Sequence, residues 1–499
     1  MPHPRIRRWL PRGLLAAFIV AWAATMGWHT GKPLAPGVHV AGEFQEVDTA
    51  SLRFLADVTS ADAFGQRLVN QKIVDATLAI VREAQGFLLL DYFLFNDQGG
   101  PNRDTAPPPY RALSSELRQA LLERRAADPS LPILVIVDPI NLTYGDVLPP
   151  ELKALQEAGI DVVTANLDPL RDSNAGYSAL WRLLLKWWLR PSAHGNLPNP
   201  LDGASQPVSA GAYARMLNFK ANHRKLIVTR APTGELRGIV SSANPHDASS
   251  AHSNVALELR GPALQALVDS EIALARTAGW QGALPPPLAS TSTSSIPVRA
   301  RSRVATMTEG AILDALLERL DGAGPGAAVD VAMFYLTQRD VVEALIAAAK
   351  RGATVRVILD PNKDAFGYEK SGLPNRPVAS ELLAASNGAI RIRWYRTHGE
   401  QFHVKFAQVR EGAHVWLTLG SANFTRRNLA DYNLEANVVV DTPADGELAT
   451  AVQTWFDTLW NNRAATGIEY TADAEVYADP SQGRYWLYRL MEGTGLSTF

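Results

Sequence analysis

Apolar positions run along this chain in three patterns, and each predicts a different kind of element. The first pattern opens the chain. Arg5, Arg7, Arg8 and Arg12 precede an uncharged apolar run over residues 13–28. A basic flank followed by an apolar core is the layout of an export signal. As a helix the run spans about 24 Å at 1.5 Å per residue, short of a ~30 Å hydrocarbon core. Residues 1–31 therefore read as a cleaved signal peptide or an uncleaved anchor. Arginines ahead of the run favour an N-in orientation, which places the remainder outside the cytoplasm, periplasmic or secreted.

The second pattern is the short continuous apolar run, and it occurs twice in the same order. Residues 87–95 form an apolar, aromatic strand candidate, residues 113–125 a helical stretch, and residues 133–137 a buried strand stopped by Asp138-Pro139. In the second half, residues 329–336, 341–350 and 355–359 repeat strand, helix and strand, and the stop recurs as Asp360-Pro361. This order predicts a parallel unit with a right-handed crossover, and apolar runs without alternation predict a sheet covered on both faces. Between the copies, residues 282–297 hold three consecutive prolines and a Ser/Thr tract, which favour neither helix nor strand. The predicted organisation is α/β: a first lobe over 32–280, a linker over 281–300 and a similar second lobe over 301–499, each a mixed sheet flanked by helices.

The third pattern is a mixed one. Residues 180–189 interleave leucines with Trp181, Trp187, Trp188, Arg182 and Lys186, and Arg190 follows before Pro191 ends the segment. These are interfacial residue types, and ten residues cannot span a bilayer. The segment reads as a helix at a membrane surface or as a core helix with snorkelling cations.

The duplication extends to polar residues. His223-Arg224-Lys225 is followed by Ser242-Ala243-Asn244, and His403-Val404-Lys405 by Ser421-Ala422-Asn423. In a strand, residues i and i+2 share a face, so each His and its Lys point together. A second strand after each pair makes a hairpin whose end delivers Ser and Asn to a turn with backbone N–H groups open to an anion. Two His, two Lys and two Asn meeting across a pseudo-twofold interface suit phosphodiester chemistry. Lysines and amides stabilise phosphoryl charge. One imidazole can attack phosphorus, and the other can protonate the departing alkoxide and then activate the acceptor. No metal or other cofactor is required by this scheme.

Composition narrows the classes further. The chain has 499 residues, 46% hydrophobic and 20% charged, enough to bury a sizeable core unaided. Lys+Arg is 48 against 50 Asp+Glu, which removes the whole-chain basic excess of many nucleic-acid binders. Cysteine is absent, which excludes disulfides, a thiol nucleophile and Cys-ligated metals.

The two His-x-Lys motifs with their Ser-x-Asn tails resemble the signature of the phospholipase D superfamily, over roughly residues 70–465. The string from Leu217 to Lys225 is similar to the first motif of bacterial members, residues 420–425 to the second motif's tail, and Tyr92-Phe93 through Asp97 to the first strand of cardiolipin synthases. The resemblance implies a two-lobed α/β fold with the active site between the lobes and a phosphohistidine intermediate. It makes His223 the nucleophile and His403 the acid/base, with Lys225, Lys405, Asn244 and Asn423 binding phosphate and Ser242 and Ser421 in support. Arg230 and Arg410 stand where the family carries Asp. Asn433 and Glu435 resemble its downstream Asn-x-Glu, with Glu435 either orienting a His or serving as an ordinary strand-edge charge; the first-half counterparts read as Asn254 and Ala256. A phospholipid substrate and a membrane surface are the expected partners, rather than nucleic acid. An exported nuclease using Arg391, Arg393, Trp394, Tyr395 and Arg396, or a lipid-binding scaffold without turnover, are the alternatives. His246 and His252 read as a surface loop, and Arg484 to Trp486 as a segment docked on the second lobe.

Overall fold

The computed structural model describes residues 4–62, 64–98, 110–145, 148–192, 194–201, 207–285, 301–365, 368–462, 467–497 and 499. Most of the expected linker, residues 286–300, and the Pro-rich stretch 101–109 lie outside the described residues.

Two mixed sheets carry the fold. In the first, Gln85–Tyr92, Ile133–Val137 and Asp161–Thr164 are parallel. Lys225–Arg230, Leu236–Ser241 and Asn254–Arg260 continue the sheet antiparallel from Gln85–Tyr92. The second repeats this plan. Ala328–Met333, Thr354–Leu359 and Ile390–Tyr395 are parallel, and Lys405–Glu411, His414–Gly420 and Ala436–Pro443 continue antiparallel. Helices Leu113–Ala127 and Arg339–Arg351 make the crossovers.

The unbroken apolar strands have a direct cause. Leu88 and Leu90 pack with Val135, Ile227 and the helices of their own lobe, whereas Leu89 packs with Leu134, Leu226 and Leu257. That second set is continuous with Ala332, Ile358, Phe406, Leu417 and Val438 of the other sheet. One face of each sheet therefore meets helices and the other meets the opposite lobe, so alternate residues are equally apolar. The lobes share one core, and the His-bearing loops are held at its edge by both.

The stretch expected for the first lobe lends one strand to the second sheet. Gln45–Asp48 lies in the stretch expected for the first lobe, yet it pairs antiparallel with Arg301–Thr308 at the edge of the second sheet. The C-terminal helix Gln482–Thr494 docks on the second lobe through buried Tyr488, whose hydroxyl donates to Glu381, and through Glu492, which accepts from Thr337.

Candidate active site

Each His precedes its strand in a short segment tied to the other lobe. The His223 N–H donates to the Leu434 carbonyl at 2.9 Å, and the Ser253 N–H to the Gln401 carbonyl at 3.0 Å. The residue before each His is gripped by a buried carboxylate. Asp138 accepts from the Asn222 N–H at 2.6 Å, and Asp360 from the Phe402 N–H at 2.7 Å. Burial pushes both carboxyls up to about 7, against these hydrogen bonds. The Asp-Pro pairs that stop the parallel strands are thus also clamps for the His loops.

The side chains then cross the interface. His223 Nδ1 lies 2.9 and 3.0 Å from the two oxygens of Glu435, and His403 Nδ1 lies 3.1 Å from Asn254 Oδ1. Glu435 is no strand-edge charge: it is fully buried and also accepts from Ser421 and Asn428. Ser421 Oγ takes the Ala436 N–H, and Ser242 Oγ takes the Val255 N–H while donating to Asn254 Oδ1 at 2.9 Å. These matched bonds make Asn254, not Ala256, the counterpart of Glu435. Both imidazoles are oriented from the opposite lobe, one by a carboxylate and one by an amide.

Lys225 and Lys405 are buried, and each donates back to its own His carbonyl, at 2.6 and 2.8 Å. Two aromatic residues join them without a signal in the motif. The Phe93 ring is 4.9 Å from the His223 ring and 5.1 Å from Lys225 Nζ; Phe334 stands 5.1 and 5.2 Å from His403 and Lys405. Asn244 and Asn423 are buried at the hairpin ends, and Asn244 Oδ1 accepts from the Leu94 N–H at 3.2 Å. The expected backbone cradle is not open at the first two residues of each tail. The N–H groups of Ser242 and Ser421 bond to Val255 and Ala436 carbonyls, and those of Ala243 and Ala422 to Ser241 Oγ and Asn437 Oδ1.

Burial dominates the electrostatics. It lowers His223 to about 4, against the pull of Glu435, with Lys225 and Lys405 adding to the fall. His403 lies well below its usual value through burial and then Lys405, His252 and Lys225. Burial brings Lys225 down to about 7 despite Glu435, Asp91 and Asp138, and lowers Lys405 strongly, with Lys225 adding to it. Burial alone would raise Glu435, yet attraction to His223 and Lys225 holds it below the usual range. At neutral pH the imidazoles are neutral and one carboxylate is ionised. An incoming phosphate supplies negative charge that favours the protonated forms of Lys225, Lys405 and a neighbouring imidazole.

Three further expectations change. His246 and His252 are buried rather than on a surface loop; His246 bonds Ser249 and Gln98, and the His252 ring sits 5.8 Å from that of His403. Arg230 and Arg410 lie at the far ends of their strands, about 17 Å from the lysines at 3.3 Å per residue. There they bond to the Gly234 carbonyl and Gln453, so the exchange of Asp for Arg leaves the site's charge untouched. Trp394 and Tyr395 are buried, and Arg393 and Arg396 are paired with Asp473 and Glu469, so this strand presents no base-stacking groove.

Arg224, between the first His and Lys, is fully buried and joins the lobes. It bonds Glu271 at 2.8 Å and Glu309 at 2.7 Å, and Glu309 in turn accepts the Glu435 N–H at 3.0 Å. Arg224→Met leaves two buried carboxylates without their cation and is expected to cost about 3–5 kcal/mol. Urea unfolding checks this; a loss under 1 kcal/mol would contradict the network's role.

Residues 316–460 match the family model described as "Cardiolipin synthase, PLD-like domain". The fold is similar to that of phosphatidylserine synthase from Haemophilus influenzae Rd KW20, with a TM-score of 0.54 at 10% identity over 91% of this chain and 96% of that one. Lower in similarity are polyphosphate kinase from Porphyromonas gingivalis (TM-score 0.43, 12% identity, 89% and 53% covered) and the phospholipase D family member Nuc from Salmonella typhimurium (0.25, 22%, 34% and 97%). No curated protein sequence matches the chain.

Proposed function

We propose that the chain is a member of the phospholipase D superfamily, a reading supported by the match of residues 316–460 to the cardiolipin synthase-like domain, and that it is a phosphodiesterase acting on phospholipid head groups through a covalent phosphohistidine. The observation that carries this reading is the pair of cross-lobe contacts, His223 to Glu435 and His403 to Asn254. With Nδ1–H donated to Glu435, the His223 lone pair on Nε2 is free to attack phosphorus. The negative charge of the bound phosphodiester raises the proton affinity of His403, which therefore acts as imidazolium: the P–N bond forms as the ester P–O bond breaks, and His403 passes its Nε2 proton to the leaving alkoxide and becomes neutral. The phosphorylated ring carries a positive charge, which the Glu435 carboxylate stabilises and the Asn254 amide cannot match. That asymmetry supports His223 as nucleophile and His403 as acid/base. His403 then takes a proton from the acceptor as its oxygen attacks phosphorus and releases His223. Water as acceptor gives phosphatidic acid; a lipid alcohol gives phosphatidyl transfer. Lys225, Lys405, Asn244 and Asn423 hold the phosphoryl oxygens.

The test is incubation with mixed phospholipids and a primary alcohol in EDTA. Formation of the phosphatidyl-alcohol is expected, with no digestion of single-stranded DNA under the same conditions. Strict dependence on a divalent ion, or turnover of DNA alone, would overturn the reading.

A further inference from the structure

The N-terminal helix Pro4–Gly31 is built into the first lobe rather than standing clear of it. Phe18, Trp22, Thr25, Met26, His29 and Thr30 are half-buried and fall on one helical face. The Trp22 indole N–H donates to the Gly176 carbonyl at 2.9 Å, and the Asp172 N–H to the His29 carbonyl at 2.9 Å. The helix lies beside the tryptophan segment, which is an α-helix over Ala175–Leu180 continued by a π-turn over Trp181–Leu185. At one end Trp22 meets Gly176. At the other, Lys32 and Lys186 both reach Asp168, at 3.0 and 2.7 Å. The two elements therefore run side by side in the same direction.

Their outer surfaces are apolar. Leu14, Leu15, Ile19, Val20 and Trp28 of the helix are exposed, as are Leu184 and Leu189. Trp187 and Trp188 are 64% and 86% exposed, which is far from the core-helix alternative. Two cations of the segment are neutralised on the lobe side, Arg182 by buried Asp172 at 2.9 Å and Lys186 by Asp168, while exposed Arg190 at its end sits at the head-group rim of the face. Within the helix, Arg12–Gly31 is apolar enough to enter a bilayer, and its 20 residues measure about 30 Å. The contacts from Trp22 to Lys32 tie the helix to the lobe over about 15 Å, the depth of one hydrocarbon leaflet. Whether the helix stands upright or tilts, the surface it is pressed against enters the lipid with it.

We propose that the N-terminal helix is retained in the mature protein and, with the tryptophan segment, forms a single face embedded in the bilayer. Removal of residues 1–31 would uncover the surface under Trp22 and break its hydrogen bond to the lobe. A cavity of about 300 Å³ is lined by Trp181 of the segment and by Arg215, Asn218 and Lys220, which lead into the His223 loop. The embedded face thus brings lipid head groups beside the loop that carries His223.

The native chain has no cysteine, so single probes can be placed cleanly. Trp188→Cys and, as an aqueous reference, Val476→Cys are labelled with an environment-sensitive fluorophore in the full chain, reconstituted in vesicles containing nitroxide-bearing lipid. At least twofold stronger quenching at 188 than at 476 is expected, together with an intact mass that includes residues 1–31. Leu189→Cys repeats the measurement independently of Trp188. Equal quenching at both lobes' positions, or a mass that begins after residue 31, would overturn the proposal. The same labels on His223→Ala are expected to be quenched alike, which separates membrane seating from the catalytic reading.

Discussion

His223→Ala is expected to lower phospholipid turnover by roughly 10⁴–10⁶-fold, the scale on which single members of a nucleophile and acid–base pair act. The informative comparison is with His403→Ala on two leaving groups. An aliphatic head-group alkoxide leaves only when protonated, so His403→Ala is expected to lose that reaction about as severely. A nitrophenolate leaves without a proton. With a nitrophenyl phosphodiester, His403→Ala is therefore expected to release one equivalent of phenol in a burst and then stall, because no base activates water against the phosphorylated His223. His223→Ala is expected to give no burst at all. Rapid-quench measurement of phenol, with peptide mapping of the trapped phosphoryl group, reads both outcomes. A burst in His223→Ala and none in His403→Ala would reverse the assigned roles. The geometry behind this order is the charge difference between the two orienting groups, Glu435 and Asn254.

Much of this site is visible in the linear sequence because the duplication acts as an internal control. His223, Lys225, Asn244, His403, Lys405 and Asn423 stand out since their spacing recurs inside a recurring strand order. The residues that escaped are those whose role depends on a third dimension. Identity pairs Asn254 with Asn433, whereas the Val255 and Ala436 N–H groups donating to Ser242 and Ser421 set the register two residues later, at Glu435. Phe93, which the resemblance names only as part of a first strand, and Phe334 directly follow their strands at different distances from the motifs, so no common spacing marks their place beside the imidazoles. His252 lies in a Ser-rich stretch that reads as solvent-facing, and only the packing of the second lobe over it makes it a buried neighbour of His403. Strand periodicity alone dismisses Arg230 and Arg410: each is five residues after its Lys, hence on the opposite face and about 17 Å down the strand. The Asp138 and Asp360 clamps were legible as strand stops but not as acceptors for residues 84 and 42 positions away.

Glu435→Gln should separate charge from orientation at the nucleophile. Glutamine keeps an oxygen able to accept from His223 Nδ1, so the tautomer survives, but the negative charge is lost. In the native protein burial lowers His223 to about 4 and Glu435 opposes that fall. Without the carboxylate, the imidazole binds its proton still more weakly. The proposed attack needs a neutral His223 in the free enzyme, so kcat/KM in the native protein is expected to fall as pH drops through about 4 rather than through the usual 6.5. In Glu435→Gln this acidic limb moves to lower pH. The rate on the plateau nevertheless falls, by roughly 10²–10⁴-fold, because the positively charged phosphoimidazole and the transition state leading to it lose their counter-ion. A lower plateau with a limb shifted towards acid is the signature of lost charge stabilisation; simple misfolding would lower the plateau and leave the limb in place. Asn254→Asp is the converse experiment. It places a carboxylate behind His403, raises that imidazole's affinity for its proton, and is expected to extend activity towards alkaline pH. If Glu435→Gln retained its plateau within threefold, or moved the acidic limb upward, the charge of Glu435 would not be what distinguishes the two imidazoles.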